Sequence, residues 1–393
     1  MRFRTSSHVH QIGLLTMTRR HYDAIVLGLG GVGSATVLNA ARRNLRVLGL
    51  EQYTPVHSRG SSHGHTRVIR QAYFEHPDYV PLLIDAYRQW ADLEKATGTR
   101  LFEQVGILQI GRPDGDVCQG VLKSARQHDL QVDVLQPDDF RRQFPSLHIC
   151  DHEIAVLERK AGFLYIERAV QTHLDQAKAY GAVLQFEESV RDWQIDKRGL
   201  VSVITDRQTY TADRLIIAAG SWIGRLLPHL ADHLQVLRKH LHWFACSNRQ
   251  LQQRTLPIFF FETLGGEFYG FPCLDDRGLK VAEHTGGTPI ERPEDDAMRI
   301  EPTDLCRVEK FLAERFPGTV FRRGDHSVCF YTISPDRHFF VDQHPQYPQV
   351  SFAAGLSGHG YKFAPTLGRA LVDLVVDGRT DLPIDFLRFG RLT

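Results

Sequence analysis

The segment Asp23–Gln52, DAIVLGLGGVGSATVLNAARRNLRVLGLEQ, constrains the fold more than any other part of this 393-residue chain. Its hydrophobic period changes twice. Ala24–Leu27 is a short apolar run with the character of a buried strand. A glycine cluster follows, Ala35–Ala41 carries the small residues of a closely packed helix, and Arg46–Leu50 is a second strand. Strand, turn, helix and strand in about 30 residues make a βαβ unit. The turn reads Gly28-Leu-Gly30-Gly-Val-Gly33. In such a pattern Gly28 permits the tight turn, Gly30 lets the backbone approach a pyrophosphate, and Gly33 lets helix and strand pack closely. The helix N-terminus supplies N–H donors for the anion. Glu51 ends the second strand about 20 residues on, where a carboxylate accepts ribose hydroxyls and disfavours a 2′-phosphate. A glycine turn without a ligand would leave Glu51 unexplained. The motif predicts a dinucleotide site without separating FAD from NAD.

Elsewhere the periodicity predicts an amphipathic helix over Asp78–Ala96, with Val80, Leu83, Ile84, Tyr87, Trp90 and Leu93 at helical spacing. A helix over Glu167–Tyr180 leads to a strand over Ala182–Phe186, and a later strand ends in the small-residue turn Leu215-Ile-Ile-Ala-Ala-Gly220. Pro365 opens a last helix and Gly378 closes it. Residues 101–155 and 236–320 read as short strands and loops. The expected class is α/β. A discontinuous Rossmann-like domain over 21–100, 156–235 and 321–393 carries the cofactor, and an antiparallel-sheet substrate domain over 101–155 and 236–320 is inserted into it. Residues 1–20 form a polar, basic tail.

A formal net charge of +1 excludes a broad nucleic-acid footprint but leaves room for a local basic pocket. No apolar run approaches the ~20 residues that span a membrane. The six cysteines form no CxxC pair, and the N-terminus lacks the apolar core of a secretory signal. Reduced thiols and a cytoplasmic protein follow as expectations. The pairs His63/His65 and His240/His242 lack cysteine or carboxylate neighbours at ligand spacing, so no metal is expected.

After Glu51 the chain runs QYTPVHSRGSSHGHTRVIR to Arg70. Four later segments are EFYGFP (267–272), GLKVAEH (278–284), CFYTISPDRHFFVD (329–342) and GLSGHGYKFAP (355–365). In these five ordered segments the chain closely resembles the family of monomeric sarcosine oxidase, N-methyltryptophan oxidase and pipecolate oxidase, members of the D-amino-acid-oxidase-like flavoproteins. The resemblance runs from about residue 22 onward. It implies FAD as cofactor, tethered through its 8α-methyl group to Cys329. Taken alone, a single cysteine reads as a small buried hydrophobe, and attack on the flavin needs a lowered thiol pKa or a nearby cation. The resemblance places His63 and Arg67 near the flavin and adds Val190, Gly220, Gly358 and Gly360 to the cofactor contacts. It pairs Arg70 and Lys362 with the substrate carboxylate, with Lys362 also at the cofactor. Tyr269 and His284 would line the substrate pocket, Tyr331 would stand at the flavin edge, and Lys280 would assist oxygen. A guanidinium and an ammonium can hold one carboxylate with directional bonds, and nearby cations favour anionic reduced flavin. Two departures stand out. The family often has Asp or another polar residue at His65, and the bulky run Phe259-Phe260-Phe261 replaces a smaller gate, so that Phe260 would reshape the pocket.

The implied reaction is oxidation of a small secondary amino acid, N-methyl or cyclic, to an imine, with oxygen reduced to hydrogen peroxide by a monomeric enzyme. The cofactor performs the redox step, and the protein orients and tunes it. Three rivals stay open: a dehydrogenase passing electrons to a quinone or protein, a nicotinamide-dependent dehydrogenase, which the Cys329 segment disfavours, and a non-catalytic flavin-fold subunit.

Overall fold

The computed structural model describes residues 21–253, 255–295 and 299–392; the expected tail over 1–20 lies outside them. The βαβ unit forms as the sequence dictates. Strands His21–Leu27 and Val47–Leu50 pair in parallel around the helix Gly31–Arg42. The first strand alternates between two faces: Ala24 and Val26 pack under the helices, Ile25 and Leu27 into the opposite layer. A sheet covered on both faces needs this near-continuous apolar run.

Five strands continue that parallel sheet in the order Val183–Gln185, Val47–Leu50, His21–Leu27, Thr209–Ile217 and Tyr347–Ala354. The Thr209 strand is long enough to serve two partners. Its second half pairs with Tyr347–Ala354, and its first half pairs antiparallel with Val201–Thr205. Val190–Ile195 and Phe340–His344 complete eight strands. The helices Gly31–Arg42, Ile166–Ala179 and Ala364–Asp377 supply one cover. Gly378 ends the last of them in the left-handed region, at φ +71°, where glycine carries no Cβ penalty.

The second sheet has nine strands. Along it run Thr288–Ile290, Gln235–Ala245, Leu279–Glu283, Gly266–Phe271, Ile258–Thr263, Ile107–Gly111, Ile154–Glu158 and Asp133–Leu135, with Arg322–Ile333 paired to the Gln235 strand. All pairings but one are antiparallel; Ile258–Thr263 runs parallel to Ile107–Gly111. Residues 322–333, expected with the cofactor-binding part, are hydrogen-bonded into this sheet instead. The reason is the ten-position register between the Arg322 and Gln235 strands, which local apolar pattern could not reveal. The regions read as strands and loops also hold the helices Asp116–Gln127, Pro137–Gln143 and Pro302–Arg315.

Strand alternation decides what this sheet offers each side. Phe259, Phe261 and Phe268 face the helix Pro302–Arg315, where Phe268 stacks on Phe311 at 4.6 Å between ring centroids. Phe260, Tyr269, Phe271, Cys329 and Tyr331 face the other way. A small third sheet, Phe102–Gln104, Gly162–Tyr165 and Thr66–Ile69, carries Arg67. Among the described residues, no helix is long and apolar enough to cross a membrane.

Candidate active site

A long cavity opens at the carboxyl ends of the parallel strands. Gly28, Gly30, Glu51, Val190 and Gly220 line it, and Arg67, Tyr331, Gly358 and Gly360 continue the wall. Gly28 has φ +83°, and a Cβ there would stand 2.7 Å from Ala218 O. Gly33 does not line the cavity. Its Cβ would fall 1.8 Å from Gly28 O, so its place is the helix–strand contact. Gly30 offers no capping side chain to the helix that starts at Gly31, and no acidic residue lies in its first turn; Ser62 Oγ accepts from Gly31 N–H at 2.9 Å, a neutral contact that leaves the positive end of the dipole to a ligand anion. Leu29 N–H donates to Glu51 Oε2 at 2.9 Å and Tyr53 N–H to Glu51 Oε1 at 3.1 Å. The buried carboxylate is thus fixed at the wall with lone pairs to spare for hydroxyls. Trp222, also on the wall, keeps its indole N–H buried and without a partner among the described residues. Glycine cradle, helix N-terminus free of acidic side chains, oriented acid and orphaned donor together fit a dinucleotide.

A smaller cavity adjoins the first, and Arg67, Tyr331, Gly358 and Tyr361 border both. Its remaining walls include Arg70, Glu75, Phe260, Tyr269, His284 and Lys362. Arg70 lies beside the rings of Tyr73 and Phe74, 4.7 and 4.6 Å from their centroids. Its Nη2 donates to both oxygens of Glu75 at 2.8 and 2.7 Å, while its Nε is buried without a partner. Burial alone would raise the Glu75 carboxyl, but Arg70, His359 and Lys362 draw it down to about 2. Lys362 Nζ donates to His359 O at 2.6 Å and Tyr73 Oη at 3.2 Å. Burial, with Arg70 close by, pulls its pKa well below the lysine range. His359 Nε2 lies 3.0 Å from Arg337 O and Nδ1 2.7 Å from Tyr73 Oη. A carbonyl only accepts, so the proton sits on Nε2 and Nδ1 accepts from the tyrosine.

Other expected residues take positions behind the walls. Lys280 Nζ is buried and donates to Gly64 O at 2.6 Å, Thr66 O at 2.9 Å and Thr66 Oγ1 at 3.1 Å. Burial, reinforced by Arg67, pulls its pKa far down. Neither cavity has it in its lining; it braces the backbone that presents Arg67. Cys329 is 1% exposed, in the same buried apolar cluster as the wall residue Tyr331, and lines neither cavity. Burial pushes its thiol up, against the pull of Arg67, Lys280 and Lys239. His63 is buried, donates from Nε2 to Gly60 O at 3.0 Å, and is pushed down to about 4 by burial and then by Arg67. His284 lies 5.6 Å from Phe260 and 5.7 Å from Tyr331 between ring centroids, and burial pushes it down to about 3. Burial pushes Tyr269 up to about 12.

The two histidine pairs turn elsewhere. His65 Nδ1 meets Arg277 Nη2 at 2.7 Å, His240 meets His326 at 2.9 Å, and His242 meets Asp304 at 2.8 Å. Among the described residues Cys150, His152 and Glu153 converge closely enough for a metal ion, but Arg315 already holds both oxygens of Glu153 at 2.7 and 2.8 Å.

Glu75, Tyr73, Lys239 and Trp222 were not singled out in the sequence. Glu75 follows Arg70 by five residues in no recognisable motif, and nothing local marks it. His359 and Tyr361 lie inside the segment GLSGHGYKFAP, beside Gly358, Gly360 and Lys362.

Comparison with known proteins agrees with this geometry. A family model described as FAD dependent oxidoreductase matches residues 23–374. Monomeric sarcosine oxidase of Streptomyces avermitilis is 38% identical over 380 residues, covering 94% of this chain and 98% of its own. N-methyl-L-tryptophan oxidase of Yersinia pestis is 36% identical over 376 residues, covering 94% and 98%. Among solved structures, the open form of NikD, an unusual amino acid oxidase essential for nikkomycin biosynthesis, superposes with a TM-score of 0.83 at 25% identity, covering 94% of this chain and 97% of its own. L-proline dehydrogenase from P. horikoshii shares the fold at a TM-score of 0.82 and 19% identity. With its dinucleotide cradle opening onto a buried basic pocket, and a family match along nearly its whole length, the chain belongs to the FAD dependent oxidoreductases.

Proposed function

We propose that the protein is an oxidase of a small secondary amino acid, forming an imine and hydrogen peroxide. The observation that carries this reading is the buried clamp of Arg70 and Lys362, with the Glu75 carboxylate already seated on Arg70. A site that binds one carboxylate in this way suits another from a substrate. The relatives named for sarcosine and N-methyl-L-tryptophan support an N-methyl amino acid.

In this reading Arg70 and Lys362 hold the substrate carboxylate. Tyr269, His284 and Tyr331 orient the amine and exclude water. His284, depressed by burial, stays neutral and leaves the amine free of a competing cation. Phe260, 3% exposed and 5.1 Å from the Phe74 ring, limits the side chain the pocket accepts. FAD, when bound, accepts two electrons from the substrate and passes them to oxygen. Gly28, Gly30, Glu51, Val190, Gly220, Gly358 and Gly360 would hold it, with His63 and Arg67 near its ring, Cys329 as the covalent attachment, and Lys280 assisting the oxygen reaction. The eight-stranded sheet would form the cofactor domain and the nine-stranded sheet the substrate domain. The reading includes a monomeric, cytoplasmic protein.

The test is acid denaturation of the purified yellow protein, followed by a peroxide assay across sarcosine, N-methyltryptophan, pipecolate and proline. Flavin that stays with the precipitate, and washes free in Cys329→Ala, is expected together with peroxide from at least one amine. Flavin release from the wild type removes the covalent link. Substrate-dependent reduction without peroxide transfers the assignment to a dehydrogenase.

A further inference from the structure

Cys246 and Cys273 come together outside the site described above. Their sulfurs are 3.8 Å apart. Cys246 directly follows the strand Gln235–Ala245 and is half-buried, and Cys273 lies just beyond the strand Gly266–Phe271 and is buried. The surrounding backbone is already drawn tight. Cys273 N–H donates to Leu251 O at 2.8 Å, and a Cβ on Gly278 would stand 2.2 Å from Phe244 O. The chain between the two cysteines contains the hairpin Ile258–Thr263/Gly266–Phe271, which carries Phe260 and Tyr269. Beyond Cys273 the chain turns into the strand of Lys280.

We infer that Cys246 and Cys273 form a peroxide-reactive dithiol that closes to a disulfide and fastens both ends of the hairpin bearing Phe260 and Tyr269. The peroxide source rests on the proposed oxidase activity. The thiols differ in the way such a pair requires. Cys246 is half-buried and open to a small oxidant, whereas Cys273 is buried and burial pushes its thiol up. Cys246 is therefore the nucleophile, because it is the thiol that peroxide can reach and that water can help to ionise. Its sulfur attacks one peroxide oxygen, an S–O bond forms, the O–O bond breaks, and hydroxide leaves. Cys273 then loses its proton and attacks the Cys246 sulfur. The S–S bond forms, the S–O bond breaks, and the departing hydroxide takes that proton as water. Two thiols are oxidised to one disulfide, and one peroxide is reduced to two waters. A disulfide needs its sulfurs at about 2.05 Å, so side-chain rotation must close the remaining gap. Among the described residues Cys118, Cys150 and Cys329 have no such partner: the first is held protonated by burial, near 12, the second meets Arg315 Nη1 at 3.8 Å, and the third is buried in the apolar cluster that holds Tyr331.

Graded hydrogen peroxide added to the holoprotein, followed by acid quench, alkylation and non-reducing peptide mapping, tests this. The expected result is a Cys246–Cys273 cross-linked peptide, lighter by two hydrogens and reversed by dithiothreitol. It should appear before the exposed Cys306 is oxidised, with an upward shift of a few degrees in thermal midpoint. In Cys273→Ser the link disappears and Cys246 becomes reactive to a sulfenic-acid probe. Oxidation of Cys306 without the cross-link, or conversion of Cys246 to sulfinic acid in the wild type, overturns the inference, and that readout does not depend on the variant folding. A parallel incubation with amine and air, with and without catalase, separates the two readings. Closure by added peroxide but not by turnover keeps the dithiol and removes the oxidase; turnover peroxide without closure does the reverse.

Discussion

Arg70 Nη2 donates to both carboxylate oxygens of Glu75, at 2.8 and 2.7 Å, inside the pocket where a substrate carboxylate is proposed to bind. The protein thus holds an internal anion on its own clamp, and a ligand carboxylate must compete with it or share Arg70. Glu75→Gln removes that charge. Carboxylate inhibitors are expected to bind about tenfold tighter, read by flavin absorbance titration. The thermal midpoint should fall, because Arg70 and Lys362 lose a buried counter-charge, a change that costs about 3–5 kcal/mol when a buried pair is broken. Weaker inhibitor binding would show that Glu75 assists the ligand.

Lys280 braces Gly64 and Thr66 from behind the wall, so its proposed oxygen role can be separated from a structural one. Lys280→Met should leave anaerobic flavin reduction near the wild-type rate and slow reoxidation about 10²–10³-fold, the range for losing one preorganised electrostatic group. A lower midpoint with unchanged reoxidation would leave Lys280 as a brace only.

Phe260→Ala opens the smaller cavity on the side shared with Phe74 and His284. The ratio of kcat/KM for N-methyltryptophan over sarcosine is expected to rise at least tenfold. Stability should fall by about 3–5 kcal/mol, as for other buried Phe truncations. An unchanged ratio would place the side-chain channel elsewhere.

Acid should weaken the fold before carboxylates titrate. His63, His240 and His359 are pushed down to about 4, and His173 to about 3, each chiefly by burial, from an ordinary 6.5. Between pH 6.5 and 4 the unfolded chain binds protons that the native state refuses. Stability from these groups is full above 6.5 and falls with pH, by up to about 1.4 kcal/mol per pH unit for each. His284 is likewise pushed down to about 3, and His326 and His344 to about 4, seven histidines at these values in all; Glu267, raised by burial to about 7, and Glu158, Glu262 and Asp373, also raised by burial, act in the opposite sense. Urea midpoints at pH 7, 6 and 5 should decline; a flat series would mean these histidines titrate normally.

The sequence by itself determined the βαβ unit, because Gly28, Gly30, Gly33 and Glu51 act within one local stretch where backbone sterics and strand period suffice. Helices such as Asp78–Ala96, found at Tyr79–Thr97, were equally legible from apolar spacing. Cys329, Arg70, Lys280 and Lys362 were reached through resemblance, since their meaning lies in what they stand beside. Tertiary structure alone decided that Glu75 occupies the Arg70 clamp, that Lys280 sits behind Thr66, and that residues 322–333 join the second sheet. It also brought Cys246 to Cys273. The place of Lys280 and of residues 322–333 depends on register between strands far apart in the chain, where a shift of one residue would turn every side chain to the opposite face.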